Sequence, residues 1–224
     1  MLELDLMPAE FPRFTLLCLD WDSTLSSLEG VDELARRVGC GDTIAHLTEL
    51  AMAGELALEE VYARRMAAIR PSRDDLVWLA ARYQETLVPG AATALARLQQ
   101  AGIALHIVSG GLCPAILPVA KALDFPAAHV HAVEVYFDAE GNYRDYQRDT
   151  PLARSGGKAE VCRQLAAPGC RMAMVGDGQT DSETRAIGAF FIGFGGVVAR
   201  DNVKAQADYF AMTWDDITRC VLSQ

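Results

Sequence analysis

The feature that most constrains this chain is an apolar run that ends in two closely spaced aspartates. Residues 14–20 (FTLLCLD) are mostly apolar up to Asp20, and Asp22 follows two positions later. A short apolar run predicts a buried strand of a parallel sheet. Open α/β folds use the carboxyl ends of such strands for their chemistry, and side chains at i and i+2 point the same way. The pattern therefore predicts two carboxylates at one pocket, although Asp, Ser and Thr are also ordinary turn residues.

A second aspartate cluster follows another apolar run. Residues 172–175 (MAMV) predict a buried strand, and the segment 176–181 (GDGQTD) follows it with Asp177 and Asp181. Glycines on either side of Asp177 permit a tight turn, and carboxylate oxygens are ligands that magnesium prefers.

Two glycine-containing segments lie between these clusters. VSGG at 108–111 follows an apolar run, and SGGK at 155–158 precedes a helical pattern. Small residues at a helix start let backbone N–H groups approach an anion, a serine hydroxyl adds a donor, and a lysine offsets phosphoryl charge. Each segment alone also fits a glycine loop with a solvated lysine. The four segments together favour a phosphate site.

In order and spacing, DWDST at 20–24, the Ser109 segment, Lys158 and GDGQTD resemble the four signature motifs of the haloacid dehalogenase superfamily. Within it, the segments at 19–35, 51–56 and 191–196 resemble phosphoserine phosphatases. This resemblance implies an α/β fold with a Rossmann-like parallel sheet flanked by helices and an inserted helical cap domain. It also implies magnesium-dependent hydrolysis of a small phosphate monoester, with O-phosphoserine as the expected substrate and serine synthesis as the expected pathway.

The order of predicted elements agrees with that architecture. Residues 29–87 have helical periodicity throughout, and strands alternate with helices afterwards. A βαβ order implies a parallel sheet covered on both faces. We therefore expect residues 1–27 and 88–224 to form an α/β phosphatase core domain and residues 28–87 to form the cap. A hairpin is predicted around DAEG at 138–141.

Phosphate monoester hydrolysis needs a nucleophile, an acid and a site for the phosphoryl group. Asp20 is the expected nucleophile, giving an aspartyl-phosphate, and Asp22 is expected to protonate the leaving oxygen and then to activate water. The remaining catalytic and phosphoryl-binding positions are expected to be Ser109, Gly110, Gly111, Lys158 and Thr180.

The expected cofactor is Mg²⁺. Asp20, the backbone carbonyl of Asp22, and Asp177 are its expected ligands, and Asp181 is expected to support the metal or to orient Lys158.

The resemblance assigns substrate selection to the cap. Glu29 is expected to face the substrate ammonium and Arg65 its carboxylate, with Met52 and the amide of Ala53 closing the pocket. Charged residues on an amphipathic helix usually face water, and the adjacent Arg64 is an alternative to Arg65.

Two cap positions depart from the family pattern. Leu58 lies where the family usually has Phe, and Ala53 lies where it usually has Gly. These departures leave the pocket shape open, and with it the exact substrate.

Charge and composition limit the partners. The formal net charge is −10, and no block of Lys or Arg occurs, which argues against nucleic acid or an anionic membrane as partner. Neither a membrane-spanning apolar run nor a secretory signal is recognisable, so we expect a cytoplasmic protein, either monomer or homodimer. The six scattered cysteines are expected to be reduced.

Alternative functions remain open at this point. The aspartyl-phosphate could pass to an acceptor alcohol such as homoserine, or back to a sugar, instead of to water. A binding module that has lost the reaction is a second alternative, which the intact acidic residues and Lys158 disfavour. A dehalogenase is disfavoured because that chemistry gives no reason for a full acidic cluster.

Overall fold

The computed structural model describes residues 14–52 and 56–222, without the side chains of residues 48, 49, 51 and 52. Five helices follow the first strand, and after them strands and helices largely alternate. The strands are β1 (Leu16–Leu19), β2 (Ala104–Leu112), β3 (Val130–Val133), β4 (Val135–Phe137), β5 (Tyr143–Tyr146), β6 (Met172–Gly176), β7 (Phe190–Phe194) and β8 (Tyr209–Ala211). The helices are α1 (Gly30–Val38), α2 (Gly41–Met52), α3 (Leu58–Ile69), α4 (Arg73–Glu85), α5 (Ala91–Gln100), α6 (Cys113–Ala122), α7 (Gly157–Leu165), α8 (Gln179–Ser182), α9 (Asp201–Gln206) and α10 (Trp214–Leu222).

Six of the strands form one parallel sheet in the order β3-β2-β1-β6-β7-β8. β1 lies between β2 and β6, with Leu19 in register with both Ile107 and Val175. Every residue of β1 and β6 is buried, as their apolar sequences predict. Because these parallel neighbours end side by side, the residues after them, Asp20 and Asp177, meet at one edge of the sheet. The predicted α/β fold is confirmed.

Helices α1 to α4 form an insertion between β1 and α5. The two segments that connect it to the sheet run antiparallel to each other. The Ser27 N–H donates to the Thr86 carbonyl at 2.9 Å, and the Val88 N–H donates to the Leu25 carbonyl at 2.9 Å. The insertion therefore leaves and rejoins the core at one place, directly after the Asp20 segment.

The segment around Ser109 differs from the expected glycine loop. β2 continues through it to Leu112, but its pairing with β3 shifts register between Val108 and Leu112. Extra backbone in one strand frees N–H groups from the ladder. The glycine amides thus lie at an irregular strand end, immediately before α6, rather than in a helix-start loop.

The predicted hairpin is present as the antiparallel pair β4 and β5. It contacts the helical insertion, because the Arg73 N–H donates to the Gly141 carbonyl at 2.9 Å. The six cysteines, all of which lie in the described ranges, are free thiols, as expected. Within those ranges, no helix is both long and apolar enough to cross a membrane.

Candidate active site

Three aspartates meet at the carboxyl ends of β1 and β6. One carboxylate oxygen from each of Asp20, Asp177 and Asp181 lies within 4.8 Å of the other two. Their side chains belong to residues that are only 7%, 4% and 0% exposed. Buried carboxylates rarely lie this close together unless a cation neutralises them.

Lys158 supplies one positive charge to this cluster. Its Nζ lies 2.8 Å from Asp20 Oδ1 and 2.7 Å from Asp181 Oδ1. Burial alone would lower the pKa of Lys158, but the carboxylates of Asp181 and Asp20 outweigh burial and raise it. Lys158 is therefore a permanent cation in the first turn of α7.

The cluster still lacks positive charge. Arg200 Nη2 lies 3.0 Å from Asp177 Oδ2, yet burial and the Asp20 carboxylate raise the pKa of Asp177. Burial and Asp20 likewise raise the pKa of Asp181. Carboxylate oxygens are hard ligands, and a divalent cation among them would relieve this repulsion. The residues present thus fit the expected metal.

Asp22 lies beside the cluster, and its side chain has different partners. Its Oδ1 accepts hydrogen bonds from the Gly30 N–H at 3.0 Å and from the Tyr83 hydroxyl at 2.6 Å. Burial, followed by the nearby Glu29 carboxylate, raises the pKa of Asp22 well above its ordinary value, against the effect of these two bonds. A carboxyl that stays protonated can donate a proton to a leaving group.

The Ser109 segment faces the same space. Ser109 is 1% exposed, and its Oγ accepts the Gly111 N–H at 3.1 Å. The Tyr62 hydroxyl donates to the Gly110 carbonyl at 3.0 Å, so the helical insertion contacts this strand end directly. A Cβ at Gly111 would lie 2.9 Å from Ile116 Cδ1 and 3.1 Å from Asp22 Oδ2, so any larger residue would be crowded at this position.

A cavity of about 380 Å³ lies between the sheet edge and the helical insertion. This size is in the usual range of small-ligand sites. The residues that line the cavity are Asp20, Asp22, Glu29, Val31, Asp32, Leu58, Tyr62, Arg65, Ser109, Gly110, Gly111, Leu152, Arg154, Lys158, Thr180 and Arg200.

The structure distinguishes the two adjacent arginines of α3. Arg64 pairs with Glu60 at 2.6 Å, and its side chain is 52% exposed, whereas Arg65 lines the cavity. Glu29 also lines the cavity and accepts a hydrogen bond from the Ser23 hydroxyl at 2.7 Å. A group suited to bind an anion and a group suited to bind a cation therefore line the same cavity.

Of the other cap and pocket residues named from the sequence, two line the cavity and two lie where the structure describes no side chains. Thr180 and Leu58 line the cavity. Met52 ends α2, but its side chain is outside the described part of the chain, and so is the whole of Ala53.

Sequence reasoning missed four residues of the site. Tyr62, Tyr83 and Arg200 are described above, and the Thr24 hydroxyl lies 3.5 Å from Asp177 Oδ1. Thr24 lies within the DWDST segment, although no role was expected for it. No local pattern marks Tyr62, Tyr83 and Arg200, because each contacts a residue far along the chain. Tyr83 and Asp22, for example, are 61 positions apart.

Comparisons with known proteins identify relatives by sequence and by fold. A phosphoserine phosphatase from Bos taurus is 36% identical over 196 residues, which cover 87% of each chain. A phosphoserine phosphohydrolase-like protein from Francisella tularensis has a TM-score of 0.82 at 22% identity, covering 93% of this chain and 100% of that chain. A phospho-aspartyl intermediate analogue of phosphoserine phosphatase has a TM-score of 0.75 at 24% identity, covering 90% of this chain and 95% of that chain.

The two solved structures are too distant in sequence to show more than the fold. A family model provides a separate match, since the haloacid dehalogenase-like hydrolase model covers residues 17–184, a range that includes all four sequence motifs. The chain therefore belongs to the haloacid dehalogenase-like hydrolase family.

Proposed function

We propose that this protein is a magnesium-dependent phosphatase that hydrolyses O-phosphoserine to serine and phosphate through an aspartyl-phosphate on Asp20. The observation that carries the proposal is the buried carboxylate cluster with Lys158, beneath a cavity that Glu29 and Arg65 also line. The identity with the Bos taurus phosphoserine phosphatase supports the substrate. We also propose that residues 28–87 act as a cap over the site.

Asp20 is oriented for attack on phosphorus. Its Oδ1 accepts the Trp21 N–H at 2.7 Å and contacts Lys158 Nζ at 2.8 Å. These contacts fix the rotation of the carboxylate and leave Oδ2 as the attacking oxygen. The P–Oδ2 bond forms as the bond from phosphorus to the serine oxygen breaks.

Mg²⁺ would be held by Asp20, Asp177, Asp181 and the carbonyl of Asp22, and when bound it would neutralise charge on the phosphoryl group. Lys158, whose Nζ lies 2.8 Å from Asp20 Oδ1, would contribute to the same neutralisation.

The phosphoryl oxygens would be held by donors of residues that line the cavity. These are the Ser109 hydroxyl, the amides of Gly110 and Gly111, Lys158 and the Thr180 hydroxyl. Donors fixed before the reaction stabilise the charge that develops during transfer.

Asp22 serves both halves of the reaction. It donates a proton to the serine oxygen as that oxygen leaves, and then, as a carboxylate, takes a proton from the water that attacks the aspartyl-phosphate. The second step releases phosphate and restores Asp20.

The cap residues provide the substrate selectivity. Arg65 would bind the serine carboxylate, for which a planar guanidinium is suited, and Glu29 would bind the ammonium. Met52 and the amide of Ala53 would close the pocket, as the family resemblance implies.

A panel of phosphate esters tests the proposal. Phosphate release is measured from L-phosphoserine, D-phosphoserine, phosphothreonine, phosphoethanolamine, glucose 6-phosphate and p-nitrophenyl phosphate, with magnesium or EDTA, for wild type and Asp20→Asn. We expect magnesium-dependent turnover of L-phosphoserine that Asp20→Asn abolishes. Turnover of p-nitrophenyl phosphate alone would rule out the substrate. Added homoserine separates hydrolysis from transfer, because transfer would yield phosphohomoserine at the expense of phosphate.

The two adjacent arginines provide a matched pair of variants. Arg65→Leu should raise KM for phosphoserine by about tenfold or more, since it removes a bidentate contact to the carboxylate. It should leave KM for phosphoethanolamine, which has no carboxylate, unchanged. Arg64→Leu should alter neither value. Equal effects of the two substitutions would contradict the assignment of Arg65.

A further inference from the structure

Tyr83 is a core residue of the insertion that contacts the reaction site. It lies near the end of α4 and is 0% exposed. Its ring packs edge-on against Trp21, with ring centroids 5.5 Å apart and an interplanar angle of 78°. Neighbouring groups therefore fix the ring, and its hydroxyl has one direction available.

That hydroxyl is directed at Asp22. It donates to Oδ1 at 2.6 Å, and the Gly30 N–H donates to the same oxygen at 3.0 Å. Two helices, α1 and α4, thus supply one donor each to a single carboxyl oxygen. A Cβ at Gly30 would collide with the Tyr83 hydroxyl, so glycine is required for this approach.

The other oxygen of Asp22 faces the phosphate-binding strand end. The Cβ position of Gly111 lies 3.1 Å from Asp22 Oδ2 and 3.3 Å from Ser109 Oγ. An oxygen that already accepts two hydrogen bonds is a poor place for the proton of a neutral carboxyl group. Oδ2 is therefore the Asp22 oxygen that is left to carry and deliver a proton, and it lies beside the Ser109 segment that the proposed function assigns to the phosphoryl group.

We propose that Tyr83 is a positioning residue for the acid–base step: with the Gly30 amide, it fixes the rotation of Asp22 so that Oδ2 delivers the proton. This inference rests on the proposed function. In the step it serves, the phosphorus–oxygen bond to the leaving group breaks, and the proton passes from Asp22 Oδ2 to that oxygen.

The positioning role of Tyr83 is tested by comparing the cleavage rates of two substrates, only one of which has a leaving group that needs a proton. A serine alkoxide must be protonated as it leaves, whereas p-nitrophenolate leaves without a proton. Single-turnover cleavage of phosphoserine and of p-nitrophenyl phosphate is measured with magnesium for wild type, Tyr83→Phe and Tyr143→Phe. Tyr143 is a matched control, because it is also a buried tyrosine but lies in the β4–β5 hairpin.

We expect Tyr83→Phe to slow phosphoserine cleavage by about tenfold or more, with unchanged KM and an unchanged first turnover of p-nitrophenyl phosphate. Tyr143→Phe should leave both rates as in wild type. Equal slowing of both substrates by Tyr83→Phe, or no slowing, would overturn the inference. A wild-type protein without magnesium-dependent activity would instead overturn the proposed function.

Gly30→Ala is a second test of the contact between Tyr83 and Asp22, and it can be used even if Tyr83→Phe fails to fold. The added methyl group displaces the phenol but keeps the Gly30 amide donor, so the same selective loss on phosphoserine is expected. In the Tyr83→Phe background, where the hydroxyl is gone, the alanine should cause a smaller further loss. Strictly additive losses would contradict a shared action on Asp22.

Discussion

The central sheet carries a cluster of ionisable groups at each end, and the two clusters behave differently; the groups at the carboxyl end are buried, and those at the amino end are half-buried. At the carboxyl ends of β1 and β6, Lys158 lies between Asp20 and Asp181 at 2.8 and 2.7 Å. Near the amino-terminal ends of β2 and β3, the ring of His106 stacks on that of His129 at 4.0 Å, and its Nδ1 lies 3.0 Å from His131 Nε2.

The two clusters differ in whether the basic group at the centre of each is charged at neutral pH. Among the aspartates, the charge of Lys158 is retained, because carboxylates overcome the effect of burial on its pKa. Among the histidines, burial and the neighbouring rings of His129 and His131 lower the pKa of His106 to about 4, so that ring is neutral at neutral pH. Lys158 thus keeps a positive charge available beside the aspartates, whereas His106 contributes no charge at neutral pH.

The largest expected effect comes from removing the retained charge. Lys158→Met should lower kcat for phosphoserine by about 10²-fold or more, because a fixed cation at the phosphoryl group is lost. It should also lower the melting temperature of the metal-free protein, since Asp20 and Asp181 lose their shared partner. Steady-state kinetics and thermal unfolding measure both effects. Lys121→Met, at an exposed lysine of α6, is the control. Equal losses of kcat and of melting temperature in the two variants would contradict the role of Lys158 as the fixed cation of the site.

The second-largest expected effect is the stabilisation of the folded protein by bound magnesium. Magnesium at 100 times its dissociation constant should stabilise the wild-type protein by about 2.7 kcal/mol, because the folded state alone presents the assembled carboxylates. Asp177→Asn should greatly reduce this stabilisation, whereas Asp149→Asn, at an exposed position, should preserve it. Thermal unfolding with magnesium or EDTA measures the difference. Full stabilisation of Asp177→Asn would place the metal elsewhere.

The smallest effect is expected at the histidine cluster. The unfolded chain binds a proton at His106 near pH 6.5, but in the folded protein the pKa of His106 is about 4. The free energy of unfolding should therefore fall as pH falls from about 6.5 to about 4, and His106→Gln should weaken that dependence. Urea unfolding at several pH values measures it. His46→Gln, at an exposed position of α2, should leave the dependence unchanged. If the free energy of unfolding depended on pH identically in wild type and His106→Gln, the lowered pKa of His106 would be contradicted.

Sequence reasoning could predict what local pattern determines. The apolar runs before Asp20 and Asp177 predicted two strand ends, and parallel strands necessarily bring such ends to one edge. The helical insertion and the hairpin also followed from periodicity and turn residues. Family resemblance, rather than spacing, favoured Arg65 over Arg64.

Contacts between distant segments could not be predicted in this way. Tyr83 is one of several apolar residues on α4, and only the packing of α4 beside α1 directs its hydroxyl to Asp22. Arg200 follows a glycine-rich segment whose backbone path decides which carboxylate it contacts. The register shift after Val108 depends on pairing with β3, which the sequence of β2 alone does not specify.

Covalent chemistry through Asp20 underlies the function proposed for the carboxyl-end cluster. Its most direct test is to quench the enzyme with acid during turnover of radiolabelled phosphoserine with magnesium, and to locate the label by peptide mass spectrometry. We expect a phosphoryl group on Asp20 that is absent in Asp20→Asn and in the presence of EDTA. Turnover of phosphoserine without a phosphorylated enzyme, or with the label on another residue, would show that Asp20 is not the nucleophile.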